Sequence, residues 1–218
     1  MESWNADLYR ALMARVREMD WKGRIVSLDL ETLVRGKGQF LTGERIIAYS
    51  MSIAGDRTED RVYVADSDDD ASEMALLREL DRDFGKYRPM VLTGYNISGY
   101  DIPLLNLKMR NLSFENQLWN VKYTISTAFC LDAMYVIADD LYRFDGDWHI
   151  RKLRDVISHE AYAGLNLMRK KQNVMMEGLD VSAAIERLWR EDRERFREYC
   201  AGDSHDVMEI VKEIFSLR

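Results

Sequence analysis

The sequence predicts an α/β domain with a mixed central β-sheet flanked by α-helices, and three observations predict it. Apolar, β-branched runs come early and close together, as a meander between residues 24 and 65. Helical periodicity dominates the rest of the chain, with two further strand-like runs set among the helices. The 218 residues are 47% hydrophobic and 32% charged, enough apolar material for the core of one ordinary soluble domain.

Each element follows from its local pattern. Residues 3–20 carry Leu8, Leu12, Val16 and Met19 on one stripe, which predicts an amphipathic helix. "RIVSLDL" (24–30) predicts the first strand, and "VRGKGQFLTGE" a Gly-punctuated hairpin connection. "RIIAYSMSIAG" and "RVYVA" predict the second and third strands. "SDDDASEMALLRELDRDFGKY" opens on capping residues and continues with helical period. "MVLTGYN" predicts a fourth strand ending in a turn, and "LLNLKMRNL" a helix after Pro103. "TAFCLDAMYVI" predicts a strand running into a helix. "IRKLRDVISHEAYAG", "VSAAIERLWREDRERFREYC" and "SHDVMEIVKEIFSL" predict three closing helices. Two prolines and no low-complexity linker favour a single domain over 1–218, with residues 1–22 as a helical N-terminal extension.

The composition bounds the function. A net charge of −7 argues against a protein that coats polyanions generally, but leaves room for one that grips a short nucleic-acid end with the help of cations. No run is long and apolar enough for a membrane span. The polar N-terminus has no signal-peptide core, and Cys130 and Cys200 make no disulfide framework, so a reducing, cytoplasmic setting is expected. Both cysteines are expected to pack as small apolar residues.

Within "IVSLDLET", Asp29 and Glu31 are two apart on a strand and therefore share one face. Two carboxylates there repel unless a cation neutralises them. "GYNISGYDIPLL" places Asp101 after a strand and a turn. "YCAGD" places Tyr199 four residues before Asp203, on one helix face. Each motif alone has an ordinary explanation: a solvated strand face, a helix cap, a surface helix. In that order, four carboxylates and a tyrosine suggest a site for divalent metal. Hard oxygen ligands suit Mg²⁺ or Mn²⁺, and two such ions roughly 3.5–4 Å apart serve in-line phosphodiester cleavage.

The ordered trio resembles the motifs of the DEDD superfamily of 3′–5′ exonucleases, in its DEDDy branch, on a ribonuclease H-like fold. More closely, it is similar to the proofreading exonuclease domain of B-family DNA polymerases, over residues 22–218. The resemblance implies that Asp29, Glu31, Asp101 and Asp203 bind two divalent cations, Asp29 bridging both. It implies that Tyr199 orients the attacking water, and that Leu30, Thr32, Asn96 and Tyr100 contact the substrate end. It implies release of nucleoside monophosphates from 3′ ends of single-stranded or frayed DNA. The sequence departs from that family in having no polymerase palm, fingers or thumb after the motifs, so a free-standing exonuclease or one subunit of an assembly is expected, with partners in DNA repair or replication unspecified. An exoribonuclease on the same scaffold and a non-catalytic nucleic-acid-binding module stay open as alternatives.

Two further expectations follow from the residues. Gly202, directly before Asp203, is expected to weaken or kink the helix that carries Tyr199 and Asp203. His149, His159 and His205 have no metal spacing. Asp132 is a helix cap or a support to the site. Arg151-Lys152-Arg154 and Arg169-Lys170-Lys171 are more ordinary as solvated faces than as phosphate contacts, and "LMRKKQNVMM" is expected to be a loop near the substrate.

Overall fold

The strand carrying Asp29 is the centre of the sheet. In the computed structural model, which describes residues 4–34, 41–110, 112–168 and 181–217, β1 spans Ile25–Val34. It is followed by β2 (Glu44–Ile53), β3 (Glu59–Val64), β4 (Val91–Gly94) and β5 (Phe129–Asp132), in the sheet order β3-β2-β1-β4-β5. β1, β2 and β3 form an antiparallel meander. β4 and β5 run parallel to β1 on its other side. Parallel neighbours need crossovers, and helices supply them. The helices are α1 (Trp4–Glu18), α2 (Asp70–Tyr87), α3 (Asp101–Arg110), α4 (Trp119–Thr127), α5 (Ala133–Asp145), α6 (Leu153–Ile157), α7 (Val181–Glu191) and α8 (Arg193–Ile214). This is the mixed sheet flanked by helices that the sequence predicts.

Alternation along β1 sorts its residues between two cores. Val26, Leu28 and Leu30 pack with Leu76, Leu77, Leu80 and Phe84 of α2, and with Leu104 and Leu105 of α3. On the opposite face, Ile25 packs with Val136 of α5 and with Val207 and Val211 of α8, and Leu33 packs with Phe196 and Tyr199. Between Ile25 and Leu33 that face carries only polar residues: Ser27, Asp29 and Glu31. α8 lies directly over them.

Several boundaries differ from the sequence expectation, each for a physical reason. α1 buries Met13 and Val16, while Leu8 and Met19 are exposed, so the stripe that meets the core is rotated from the expected one. α4 has no helical signature, because its Val, Thr and Ile residues are poor helix formers. It forms because Asp81 of α2 accepts the backbone N–H groups of Asn120 and Val121 at 2.8 and 3.0 Å, and because Leu118 and Val121 are buried. The helix expected over 150–164 is only the single turn of α6. There the His159 ring accepts the Ala161 N–H at 3.2 Å and starts a separate 3₁₀ turn. The helix expected over 181–200 breaks at Asp192, whose carboxylate accepts the Arg195 N–H at 3.0 Å and starts α8.

The break expected near Gly202 is absent, and α8 is one continuous helix through it. A Cβ at Gly202 would meet the Met168 Cβ at 3.7 Å, an ordinary contact. Gly202→Ala is therefore expected to stabilise the protein by about 1 kcal/mol through helix propensity, raising the melting temperature by about 2–4 °C. A thermal melt checks this, and a lower melting temperature would mean that Gly202 is needed for close approach to the sheet.

Candidate metal centre

The acidic group is built by α8 descending onto the sheet where the sheet offers small side chains. Opposite Asp29 on β2 stands Ser50, and opposite Glu31 stands Ala48. The next pairing joins Thr32 to Ile46, so β2 carries one extra residue, a bulge, beside the acids. α8 is tied down at the same level. Ser204 and Ser52 share a hydrogen bond at 2.9 Å, Ser52 donates to Asp60 at 2.6 Å, and the His205 ring meets Asp60 at 2.9 Å. The two residues after Asp203 are thus fastened to β2 and β3.

That placement brings Asp203 to the β1 acids. One carboxylate oxygen from each of Asp29, Glu31 and Asp203 lies within 4.8 Å of the other two. Glu31 and Asp203 are buried and Asp29 is half-buried. Asp101 stands beside this group rather than in it. It opens α3, is buried, and accepts the Leu30 amide N–H at 2.9 Å. Burial first, and the Asp29 charge second, hold the Asp101 carboxyl well above the usual carboxylate range. Asp101 is therefore close enough to Asp29 to feel its charge, with one oxygen committed to the β1 backbone.

Tyr199 is one helical turn from Asp203 and only 8% exposed. Burial pushes its phenol well above the usual value, and Glu31, Asp203 and Asp29 push it further. At neutral pH it is a protonated donor and not a base. The same acids and deeper burial keep the Cys200 thiol neutral, and Cys130 is pushed up to about 11. Neither cysteine is poised as a nucleophile.

The expected substrate contacts separate on inspection. The Leu30 side chain lies in the opposite core, and its amide serves Asp101. The Thr32 and Tyr100 hydroxyls lie 2.8 Å apart, the Tyr100 phenol donates to Glu44, and the Thr32 hydroxyl stands 3.0 Å from the same carboxylate. Asn96 is exposed in the turn before α3 with φ +63°, and a Cβ at Gly99 would come within 2.4 Å of its side-chain oxygen. Asp132 does both jobs the sequence left open. It caps α5 through the Met134 N–H at 3.1 Å, and it holds the turn through the Asn96 and Ser98 N–H groups at 3.0 and 3.1 Å. Glu44 and Asp60 were not visible in the sequence, since no local pattern marks either one.

No histidine joins the acidic group among the described residues. Arg151 and Arg154 are paired with Asp145 and Asp155. Arg169, Lys170 and Lys171, and most of the "LMRKKQNVMM" segment, lie outside the described residues. Among those described, no helix is long and apolar enough to cross a membrane.

Fold and acidic group together define an α/β domain with a five-stranded mixed sheet and three carboxylates close enough to hold a metal ion. No family model matches the chain, and no curated protein matches it in sequence. In structure it is similar to the family B DNA polymerase from the hyperthermophilic archaeon Pyrobaculum calidifontis, with a TM-score of 0.60 over 87% of this chain at 16% identity. The chain spans 24% of that polymerase's length. What the two share at this identity is the fold, which is ribonuclease H-like.

Proposed function

We propose that this protein is a metal-dependent 3′–5′ exonuclease that removes nucleoside monophosphates from the 3′ end of single-stranded or frayed DNA. The observation that carries the proposal is the convergence of Asp29, Glu31 and Asp203 within 4.8 Å. Three carboxylates so close repel one another unless a cation lies between them, and an all-oxygen donor set suits Mg²⁺ or Mn²⁺. A cation bound there supplies charge neutralisation at the phosphate being cleaved and a lower pKa for the attacking water.

The residues of this chain do the rest. Asp29, Glu31 and Asp203 hold the metal, and Asp101, near enough to Asp29 to feel its charge, adds a fourth carboxyl beside them. Tyr199, kept protonated by its surroundings, donates a hydrogen bond that orients the water. Water adds to the terminal phosphorus, the bond to the 3′ oxygen breaks, and that oxygen takes up a proton. Asn96, Tyr100 and the chain around Leu30 and Thr32 line the approach of the strand. DNA is preferred to RNA in this proposal because the motifs resemble those of DNA-polymerase exonuclease domains.

The test is a cleavage ladder on 5′-labelled single-stranded DNA and RNA side by side, with Mg²⁺ or Mn²⁺ and with EDTA. Stepwise shortening of DNA from the 3′ end, abolished by EDTA, is expected. Full-length strands in every lane would overturn the proposal, and a ladder on RNA alone would reassign the substrate.

A further inference from the structure

We propose that α4, the turn before it and the outer side of α2 form a second surface for single-stranded DNA, apart from the acidic group. The choice of DNA over RNA rests on the exonuclease proposal, and the chemistry of the surface does not need it. Three aromatic rings stand open here: Phe114 is 79% exposed, Tyr123 67% and Trp119 53%. Clustered rings left in water mark an interaction site. Phe114 lies in a 3₁₀ turn (Phe114–Asn116), and its ring meets the Trp119 ring edge-on, with centroids 5.7 Å apart. Tyr123 is one helical turn past Trp119 and shares its side of α4. The opposite side of that helix is already filled, by buried Val121 and Thr124.

Cations border the rings. The Lys122 Nζ lies 5.8 Å from the Trp119 ring centre. Arg78, Arg82 and Lys86 recur every four residues along α2 and form one stripe. That stripe runs beside the rings, since Arg78 donates to the Asn116 side chain at 2.6 Å and Asn120 lies against Gly85. Of the nearby acids, Glu79 pairs with Arg82, and Asp81 is committed to the Asn120 and Val121 N–H groups. Arg78, Lys86 and Lys122 have neutral partners in Asn116, Tyr87 and Trp119. Their charge faces only the exposed Glu115, a local positive excess on a chain of net charge −7.

Charge selects the occupant. A second exposed aromatic stretch, with Tyr142, Phe144 and Trp148, carries four aspartates and one arginine over residues 139–150 and would repel phosphate. At α4 the rings stand among cations, the combination that holds a single strand without reading its sequence: bases stack and phosphates meet the positive charge. Leu118 and Val121 pack in the core with Val26, Leu28 and Leu30, on the face of the sheet opposite Asp29 and Glu31. DNA with its 3′ end at the acidic group must therefore pass around the sheet to reach these rings. The surface holds the body of a long strand, and a short one cannot occupy both places.

Fluorescence anisotropy in EDTA, with 5′-fluorescein-labelled oligothymidylate of about 40 nucleotides, reads this surface without any metal-dependent contact. Trp119→Ala and Tyr123→Ala are each expected to weaken binding about fivefold or more, the low end of what one stacked base contributes. Lys86→Gln and Lys122→Gln together should lower the slope of log affinity against log salt by about 1.4, two phosphate contacts' worth. All four side chains are exposed, so thermal melts should match wild type. With Mg²⁺ and unprotected DNA, Trp119→Ala should raise KM for the long strand but not for one of about 5 nucleotides. Wild-type affinity in both ring variants, or an unchanged salt slope in the lysine variant, would overturn the surface. A wild-type protein that binds no DNA in EDTA would also overturn it and assign the rings to a protein partner. Tighter binding of oligouridylate would overturn the choice of DNA. Ring-dependent binding in EDTA with no cleavage in Mg²⁺ or Mn²⁺ would uphold the surface and overturn the exonuclease proposal.

Discussion

Asp203→Ala is expected to abolish nucleotide release while the protein stays folded. Asp203 supplies one of three oxygens gathered within 4.8 Å, and it is the only one of the three that α8 contributes. Without it, the β1 acids face an alanine, and the divalent cation loses the ligand that closes its site. Losing a preorganised electrostatic contact of this kind lowers kcat by about 10²–10³, and a missing metal ligand should reach at least the upper figure. Stability should move the other way. Alanine is the best helix former, and removing one of three neighbouring carboxylates relieves repulsion in the metal-free protein. In EDTA the variant should therefore melt at or above the wild-type temperature. Release from 5′-labelled DNA with Mn²⁺ and a melt in EDTA measure the two effects together. Asp29→Ala should behave alike in activity, and Asp203→Asn serves as the more isosteric control. Activity within tenfold of wild type in Asp203→Ala would sink the assignment of the acidic group as the reaction centre.

The acidic residues of the candidate site were more legible in the sequence than the elements that hold them. Asp29 and Glu31 announce themselves because strand alternation puts two acids on one face of an apolar run, and that face is where the structure has them. Tyr199 and Asp203 follow from helical spacing. What the pattern could not show is depth. The distance from α8 to the sheet depends on Ser50, Ala48 and Ser52 on β2 and on the Ser204, Ser52 and Asp60 hydrogen bonds. Those partners are far apart in sequence. α4 was hidden for the same reason, since its cap comes from Asp81 on another helix. At Gly202 the local helix penalty is outweighed by the packing around it. α8 runs through Gly202 against β1 and β2, and the real break falls at Asp192, where a side-chain cap is available. The sequence pattern presents Thr32 and Tyr100 as separate positions. The acceptor that joins them, Glu44, is 12 residues from one and 56 from the other.

Mg²⁺ or Mn²⁺ is expected to raise the melting temperature, and by more as the pH rises. Without metal, burial and the charge of Asp29 hold the Asp101 carboxyl well above its ordinary 3.8. A folded-state value above the unfolded one means that the native protein binds more protons than the unfolded chain. The contribution of Asp101 to stability is then full below about pH 4 and is lost as the pH climbs from there toward the raised folded-state value. A divalent cation reverses that slope at the site, because it binds only deprotonated carboxylates and offsets the repulsion that raised their pKa. At a metal concentration a hundredfold above its dissociation constant, one site adds about 2.7 kcal/mol. For a chain of this size that is a rise of about 5–10 °C. Melts of the same sample in EDTA and in Mg²⁺, taken from pH 5 to pH 8, measure the gap directly. It should widen with pH, and Asp29→Asn should shrink it at every pH by removing both a ligand and the charge that acts on Asp101. Equal melting temperatures with and without metal across that range would mean that the three carboxylates tolerate one another unaided. The convergence of Asp29, Glu31 and Asp203 would then no longer argue for a cation.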